Sequence, residues 1–142
     1  MQDNLIIMGI NAPKEHQAII TQLIHGLAEL YLKDKTHLFP YPETMIDEGQ
    51  TSPAPDILLY DHKLEKTIVL IEVTHSAGVK KDTAKVFSLL QDYDVQEGFV
   101  YDYKKNVWYK LDKVSGTIEE TSFSSVLNIK LNDFLRSNPN KG

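Results

Sequence analysis

Apolar residues recur with a helical spacing in two segments of the chain. In residues 13–33 they fall three and four positions apart, which predicts a long amphipathic helix that begins near Pro13. Gly26 lies within this helix, at a position where we expect another backbone to approach closely. Residues 80–93 repeat the same spacing and predict a second helix.

Short apolar runs without that spacing predict strands. Residues 56–60 and 67–74 are joined by a turn short enough for a hairpin, and the second run is apolar throughout, so both of its faces should be covered. The aromatic-rich residues 98–103 and 107–111 predict a second hairpin. Residues 37–46 contain strand formers, but two prolines restrict them to an edge strand or an extended arm.

The order of these elements predicts an α/β fold. A mixed central sheet should lie between the two helices, one on each face, as a three-layer sandwich. We expect residues 1–10 to form an edge strand or a packed arm, residues 118–123 a short edge strand and residues 132–135 a terminal helix. The length of 142 residues suits a single domain spanning residues 1–142.

Composition excludes several classes of protein and site. The absence of cysteine rules out disulfides and zinc–thiolate sites and favours a reducing, cytoplasmic compartment. No apolar run approaches the roughly 20 residues that span a bilayer, so we expect no membrane contact. The net charge of -5 argues against a protein coated in basic charge. Lysines nevertheless cluster at residues 80–85 and 104–113, although such clusters are commonly solvated surface.

Two acidic residues lie at the ends of the first predicted hairpin's strands. Asp56 precedes one apolar run and Glu72 follows the core of the other. A charge at the end of a buried strand is costly unless it is paired or binds a metal. If the strands are neighbours, the two carboxylates converge and suit Mg²⁺ or Mn²⁺, which take one or two carboxylates and keep several waters. The alternative is that both acids are solvated strand ends.

A lysine on the second predicted helix could complete such a site. Lys85 follows Asp82 by three positions, on the same helical face, and this helix begins soon after Glu72. Lys85 can therefore point back at the carboxylates, where a compact positive charge would help a hydrolytic metal site. The alternative for Asp82 and Lys85 is a surface ion pair worth less than about 1 kcal/mol.

The five histidines have no zinc-binding spacing. We therefore discount His16, His25, His37 and His62 as functional residues. His75 is kept because it follows the Glu72 strand directly and could contact a substrate.

Several of these residues together resemble the PD-(D/E)XK nuclease superfamily. Its motif is matched by Pro55-Asp56 and, after 15 intervening residues, by Glu72-Val73, but Thr74 stands where the motif normally has lysine. The Uma-type branch of candidate restriction endonucleases is more similar still. The segments that resemble that branch are Pro55-Asp56, Glu72-Val73, Ser76, Asp82 to Lys85, Tyr93, residues 97–100 and residues 127–135.

The resemblance implies a restriction-endonuclease-like fold and a metal-dependent endonuclease that hydrolyses phosphodiester bonds in DNA. Asp56 and Glu72 would bind Mg²⁺ or Mn²⁺, Lys85 would take the role that Thr74 cannot, and Asp82 would orient Lys85 or the metal shell. A further acid often completes such sites, and Glu43 is preferred to Glu29 for this role.

Two other functions stay open alongside the endonuclease. Thr74 and the acidic net charge also fit a catalytically decayed module that binds nucleic acid or a protein partner. A metal-free subunit-interaction domain in a larger defence or mobile-element assembly is the third option. By analogy with nucleases that cut two strands, a homodimer is expected.

Overall fold

The computed structural model of the protein describes residues 13–47, 49 and 52–136. The arm or strand expected at residues 1–10 lies outside these residues. The described elements, in chain order, are α1 (Lys14–Leu32), β1 (Leu38–Pro42), β2 (Ile57–Asp61), β3 (Lys66–Thr74), a 3-10 turn (Ser76–Gly78), α2 (Val79–Asp92), β4 (Glu97–Asp102), β5 (Val107–Leu111), β6 (Ile118–Glu119), β7 (Phe123–Ser124), β8 (Ile129–Lys130) and a second 3-10 turn (Leu131–Phe134).

Both predicted helices are present, with ends within one residue of the predicted ones. Helix α1 follows Pro13, whose ring suits the start of a helix, and its inner stripe of Ile20, Leu23 and Leu27 is buried. Helix α2 follows Gly78 and buries Val86, Leu89 and Leu90. Among the described residues, no helix has the length and apolar character needed to cross a membrane.

Six strands form the main sheet of the described chain, in the order β1-β2-β3-β4-β5-β6. The pair β3 and β4 is parallel, and each other neighbouring pair is antiparallel. Parallel neighbours need a crossover, and α2 supplies it between β3 and β4. The predicted mixed sheet is therefore confirmed, and its proline-containing segment, β1, is an edge strand as expected.

The sheet lies between the two helices, so the predicted three-layer sandwich is confirmed. Strand β3 is buried over almost its whole length, as its continuous apolar run predicted. The core against α1 includes Leu23, Ile71 and Phe99, and the core against α2 includes Leu70, Val86 and Val100. Alternate residues of the same strands thus fill opposite cores.

The C-terminal region differs from the predicted one. The predicted edge strand at residues 118–123 is divided between β6, which extends the main sheet, and β7, which pairs with β8 in a separate sheet. The predicted terminal helix is a 3-10 turn, Leu131–Phe134, that packs onto α1. The group that approaches Gly26 is the Phe134 ring and not a backbone, and it leaves no room for a side chain at Gly26.

Candidate active site

Asp56 and Glu72 meet where the pairing of β2 and β3 ends. The last ladder pair at this end of the sheet is Ile57 with Ile71, so Asp56 and Glu72 stand opposite each other just beyond it. Their carboxylates continue the ladder: the Asp56 backbone N–H donates to Glu72 Oε1 at 2.7 Å, and the Val73 N–H donates to Asp56 Oδ2 at 2.7 Å. The strand register therefore brings the two acids together.

Lys85 reaches this pair from α2. Its Nζ donates to Glu72 Oε2 at 2.6 Å and to the Ala54 carbonyl at 3.0 Å. The helix follows β3 after one short turn, which places Lys85 directly over the carboxyl end of the strand. The predicted direction of Lys85 toward Glu72 is thus the observed one.

The environment of Glu72 favours its protonated form. Only 4% of the residue is exposed, and burial is the main cause that raises the pKa of the Glu72 carboxyl to about 7, with the negative charge of Asp56 adding to it. The ammonium of Lys85 acts in the opposite direction. The two neighbouring carboxylates, one of them buried, leave negative charge that the lysine does not fully offset.

His16, which the sequence analysis discounted, lies beside Asp56 at the candidate site. Its Nε2 lies 3.4 Å from Asp56 Oδ2. This hydrogen bond is the largest cause that raises the pKa of His16 to about 9, with a smaller contribution from the Val73 backbone. His16 precedes Ile20 and Leu23 by four and seven positions, so it extends the buried stripe of α1 toward the carboxyl end of β3. A polar residue on that stripe was the available signal.

Within the described residues, the side chains of the other predicted residues near the centre make no hydrogen bond or ion pair with Asp56, Glu72 or Lys85. Asp82 is half-buried beside Gly78, and within the described chain Lys85 is held by Glu72 and Ala54 and not by Asp82. His75 is exposed. The Glu43 side chain is also exposed, although the Glu43 N–H donates to the Asp56 carbonyl at 2.9 Å.

Glu29 is remote from this centre. It lies 13 residues after His16 along α1, about 20 Å at 1.5 Å per residue. Its carboxylate pairs with Lys33 and approaches His25. Of the two further acids considered, only Glu43 belongs to a segment that borders the site.

Thr74, two positions after Glu72, occupies the place where a strand lysine was expected. It is buried, and its hydroxyl donates to the His75 carbonyl at 3.2 Å. The Glu72 carboxylate has a lysine partner all the same, supplied by α2. An ammonium group therefore lies beside Glu72, supplied by the helix and not by the strand.

The donors at this centre fit a hard divalent cation. Asp56, 18% exposed at its side chain, and the neighbouring Glu72 offer carboxylate oxygens, which suit Mg²⁺ or Mn²⁺. Among residues 13–47, 49 and 52–136, no three His, Cys, Asp or Glu side chains are grouped to hold a metal by themselves. Mg²⁺ does not require three, since it commonly binds one or two carboxylates with water and substrate phosphate.

Comparison with known proteins identifies the fold. No family model and no curated protein sequence matches the chain. A solved DUF820 protein from Anabaena variabilis ATCC 29413, described as a candidate nuclease, superposes with a TM-score of 0.65 at 13% identity, covering 87% of this chain and 81% of that one. The type IIG restriction endonuclease BpuSI superposes with a TM-score of 0.51 at 10% identity, over 68% of this chain and 11% of BpuSI. The chain has the restriction-endonuclease-like fold that the motif resemblance implied.

Proposed function

We propose that the protein is a divalent-metal-dependent nuclease that hydrolyses phosphodiester bonds, with DNA as its substrate. The observation that carries this proposal is the convergence of Asp56, Glu72 and Lys85, from two strands and a helix, at one end of the sheet. The two structural neighbours, a candidate nuclease and a restriction endonuclease, support the same activity. The Uma-type branch is the proposed subgroup, on the motif resemblance described above.

Each residue has a definite role in this proposal. Asp56 and Glu72 would hold Mg²⁺ or Mn²⁺, which when bound lowers the pKa of a coordinated water and offsets charge on the phosphate. Lys85 holds a positive charge at Nζ beside Glu72 Oε2, where it can orient the attacking water and stabilise the phosphate's added negative charge. The Ala54 carbonyl fixes the direction of that ammonium group.

Two more residues act around this centre. His16 holds a proton at the Asp56 carboxylate when no metal is present, because its pKa is raised to about 9. Asp82 lies one helical turn before Lys85 and would border the metal shell or the substrate, with His75 and Glu43 at the rim.

Plasmid nicking with Mg²⁺ or Mn²⁺ tests this function. Wild-type protein should nick supercoiled DNA, while Asp56→Asn and Lys85→Ala should each be slower by at least about a hundredfold, the scale of general acid–base and electrostatic contributions. Lys63→Ala is the matched control for Lys85→Ala, since Lys63 is an exposed lysine in the turn between β2 and β3, at the opposite end of the sheet. Equal nicking by all four proteins would refute the assignment.

A second candidate is a nuclease-fold module that binds nucleic acid or a protein partner without cleaving. Thr74 in the motif's lysine position favours it. Isothermal titration with Mn²⁺ separates the two functions. If the protein is a nuclease, Glu72→Gln should weaken or abolish the binding of Mn²⁺. If it is a decayed module, wild type and Glu72→Gln should give the same heat of titration.

A further inference from the structure

Two exposed lysines, Lys80 and Lys105, lie at the end of the sheet that carries the candidate active site, although the chain has a net charge of -5. Lys80 begins α2 just after β3, and Lys105 lies in the turn between β4 and β5. Both side chains line one cavity of about 400 Å³, bordered also by Ser76, Thr83 and Tyr109. We call the cavity defined by Ser76, Lys80, Thr83, Lys105 and Tyr109 the basic groove.

A buried carboxylate organises both walls of the basic groove. Asp102, 1% exposed, lies at its base. Asp102 Oδ2 accepts a hydrogen bond from Ser76 Oγ at 2.8 Å, which fixes the turn that leads into α2. Asp102 Oδ1 accepts from the backbone N–H groups of Lys104 at 3.0 Å and Lys105 at 3.2 Å, which fixes the turn on the other side. The segments that present the two lysines are therefore held in place before any ligand binds.

The lysines of the basic groove are available to an anion. Within the described part of the chain, neither Lys80 nor Lys105 has a carboxylate within ion-pair distance, whereas the neighbouring Lys104 pairs with Glu15 at 2.9 Å. The charge of Asp102, the one acid that lines this cavity, is engaged by three donors. The groove thus offers two ammonium groups and, besides the Ser76 hydroxyl that donates to Asp102, the hydroxyls of Thr83 and Tyr109.

The basic groove and the candidate active site lie at the same end of the sheet, next to the start of α2. Ser76 follows Glu72 by four residues, and the first two turns of α2 carry Lys80 and Thr83 on one side and Asp82 with Lys85 on the other. A chain molecule that crosses the start of this helix can therefore contact both. Lysine and hydroxyl donors repeated along a path are the usual partners of a nucleic-acid backbone, and they carry no base specificity.

We propose that the basic groove binds the phosphate backbone of the DNA strand whose neighbouring phosphodiester lies at Asp56, Glu72 and Lys85. This proposal rests on the nuclease function in that both sites take the same strand. The groove supplies affinity and register, and the carboxylate site supplies the chemistry. The two can therefore be separated by experiment.

The test compares Lys80→Ala/Lys105→Ala with Lys35→Ala/Lys63→Ala, a control with the same change in net charge. Lys35 and Lys63 are exposed and lie at the opposite end of the sheet. Binding of labelled duplex and single-stranded DNA is measured by fluorescence anisotropy in EDTA between about 50 and 200 mM salt. The groove variant should bind about tenfold more weakly, and its salt slope should be smaller by about 0.9 per lysine for duplex or about 0.7 for a single strand.

The control variant and Lys80→Arg/Lys105→Arg should both keep wild-type affinity and slope. The proposal would be overturned if the groove variant kept the DNA affinity and salt slope of wild type, or if the control variant lost as much affinity as the groove variant. Either result would count even if the wild-type protein nicks plasmid. Equal competition by polyglutamate and by DNA would also overturn it, because phosphate would not be recognised. Groove-dependent binding without cleavage under any divalent cation would refute the nuclease function and leave the groove intact.

Discussion

Two buried glutamates at opposite ends of the neighbouring strands β3 and β4 show how similar burial leads to different roles. Glu72 lies near the carboxyl end of β3 and Glu97 at the start of β4, and each is 4% exposed. Each also has a lysine partner, Lys85 at 2.6 Å for Glu72 and Lys110 at 3.2 Å for Glu97. By burial and ion pairing alone the two residues are equivalent.

Their other neighbours distinguish them. Glu97 accepts hydrogen bonds from the Ser124 hydroxyl at 2.6 Å and the Ser125 N–H at 2.7 Å, so it anchors the C-terminal segment to the sheet. Glu72 also accepts a backbone N–H, from Asp56 at 2.7 Å, but it lies beside the Asp56 carboxylate. Burial, together with that negative charge, raises the pKa of Glu72 to about 7. A carboxylate whose neighbours are all donors is structural, whereas one that also lies beside another carboxylate has capacity for a cation.

The largest expected effect is on cleavage. Glu72→Gln should reduce Mg²⁺-dependent plasmid nicking by about a thousandfold, about 4 kcal/mol, because it removes a metal ligand. The nicking rate of Glu97→Gln should stay within about threefold of wild type per folded molecule, because Glu97 lies at the opposite end of the sheet from the candidate site. A tenfold loss would correspond to about 1.4 kcal/mol. Nicking rates normalised to the folded fraction by circular dichroism would check this, and equal losses in both variants would contradict the comparison.

Stability should show the reverse order. Glu97→Ala should lower the free energy of unfolding by about 3–5 kcal/mol, since it leaves Lys110 and the donors of Ser124 and Ser125 without their acceptor. Urea denaturation in EDTA measures it. Glu72→Ala should cost less, because removal of Glu72 also relieves its repulsion with Asp56. A larger loss in Glu72→Ala would show that Glu72 is the structural residue.

Metal binding should stabilise the protein through Glu72 and not through Glu97. Mn²⁺ at about 100 times its dissociation constant should raise the free energy of unfolding by about 2.7 kcal/mol, because the ion binds only the folded state. Glu97→Gln should retain this increase and Glu72→Gln should lose it. Thermal denaturation with Mn²⁺ and with EDTA supplies the comparison. An increase that survives in Glu72→Gln would place the ion elsewhere.

The smallest effect is a pH dependence of stability without metal. In the folded state the pKa of Glu72 is about 7, against an ordinary value of 4.5. Proton binding by Glu72 therefore adds to the free energy of unfolding fully below about pH 4.5, and this contribution is lost as pH rises through 7. We expect a decrease on the order of 1 kcal/mol across this window. Urea denaturation in EDTA at several pH values should show a flatter profile for Glu72→Gln, and identical profiles would contradict the assignment.

Much of the architecture could be predicted because local spacing reports burial. The stripe of α1 and the continuous apolar run of β3 identified a helix on the sheet and a strand covered on both faces, and both are observed. The C-terminal region could not be predicted in the same way. The strands β7 and β8 have two residues each and owe their position to Glu97 and to the packing of Phe134 on α1, which are contacts between distant residues.

The candidate site could also be predicted only in part. By itself the sequence determined which acids end the buried strands and that Lys85 follows on a helix. The tertiary structure alone decided that His16, from the other layer of the sandwich, contacts Asp56, and that Asp82 does not hold Lys85. Spacing within one element defines the face on which a side chain lies, but contacts between layers depend on how the helices pack across the sheet, and no local pattern records that packing.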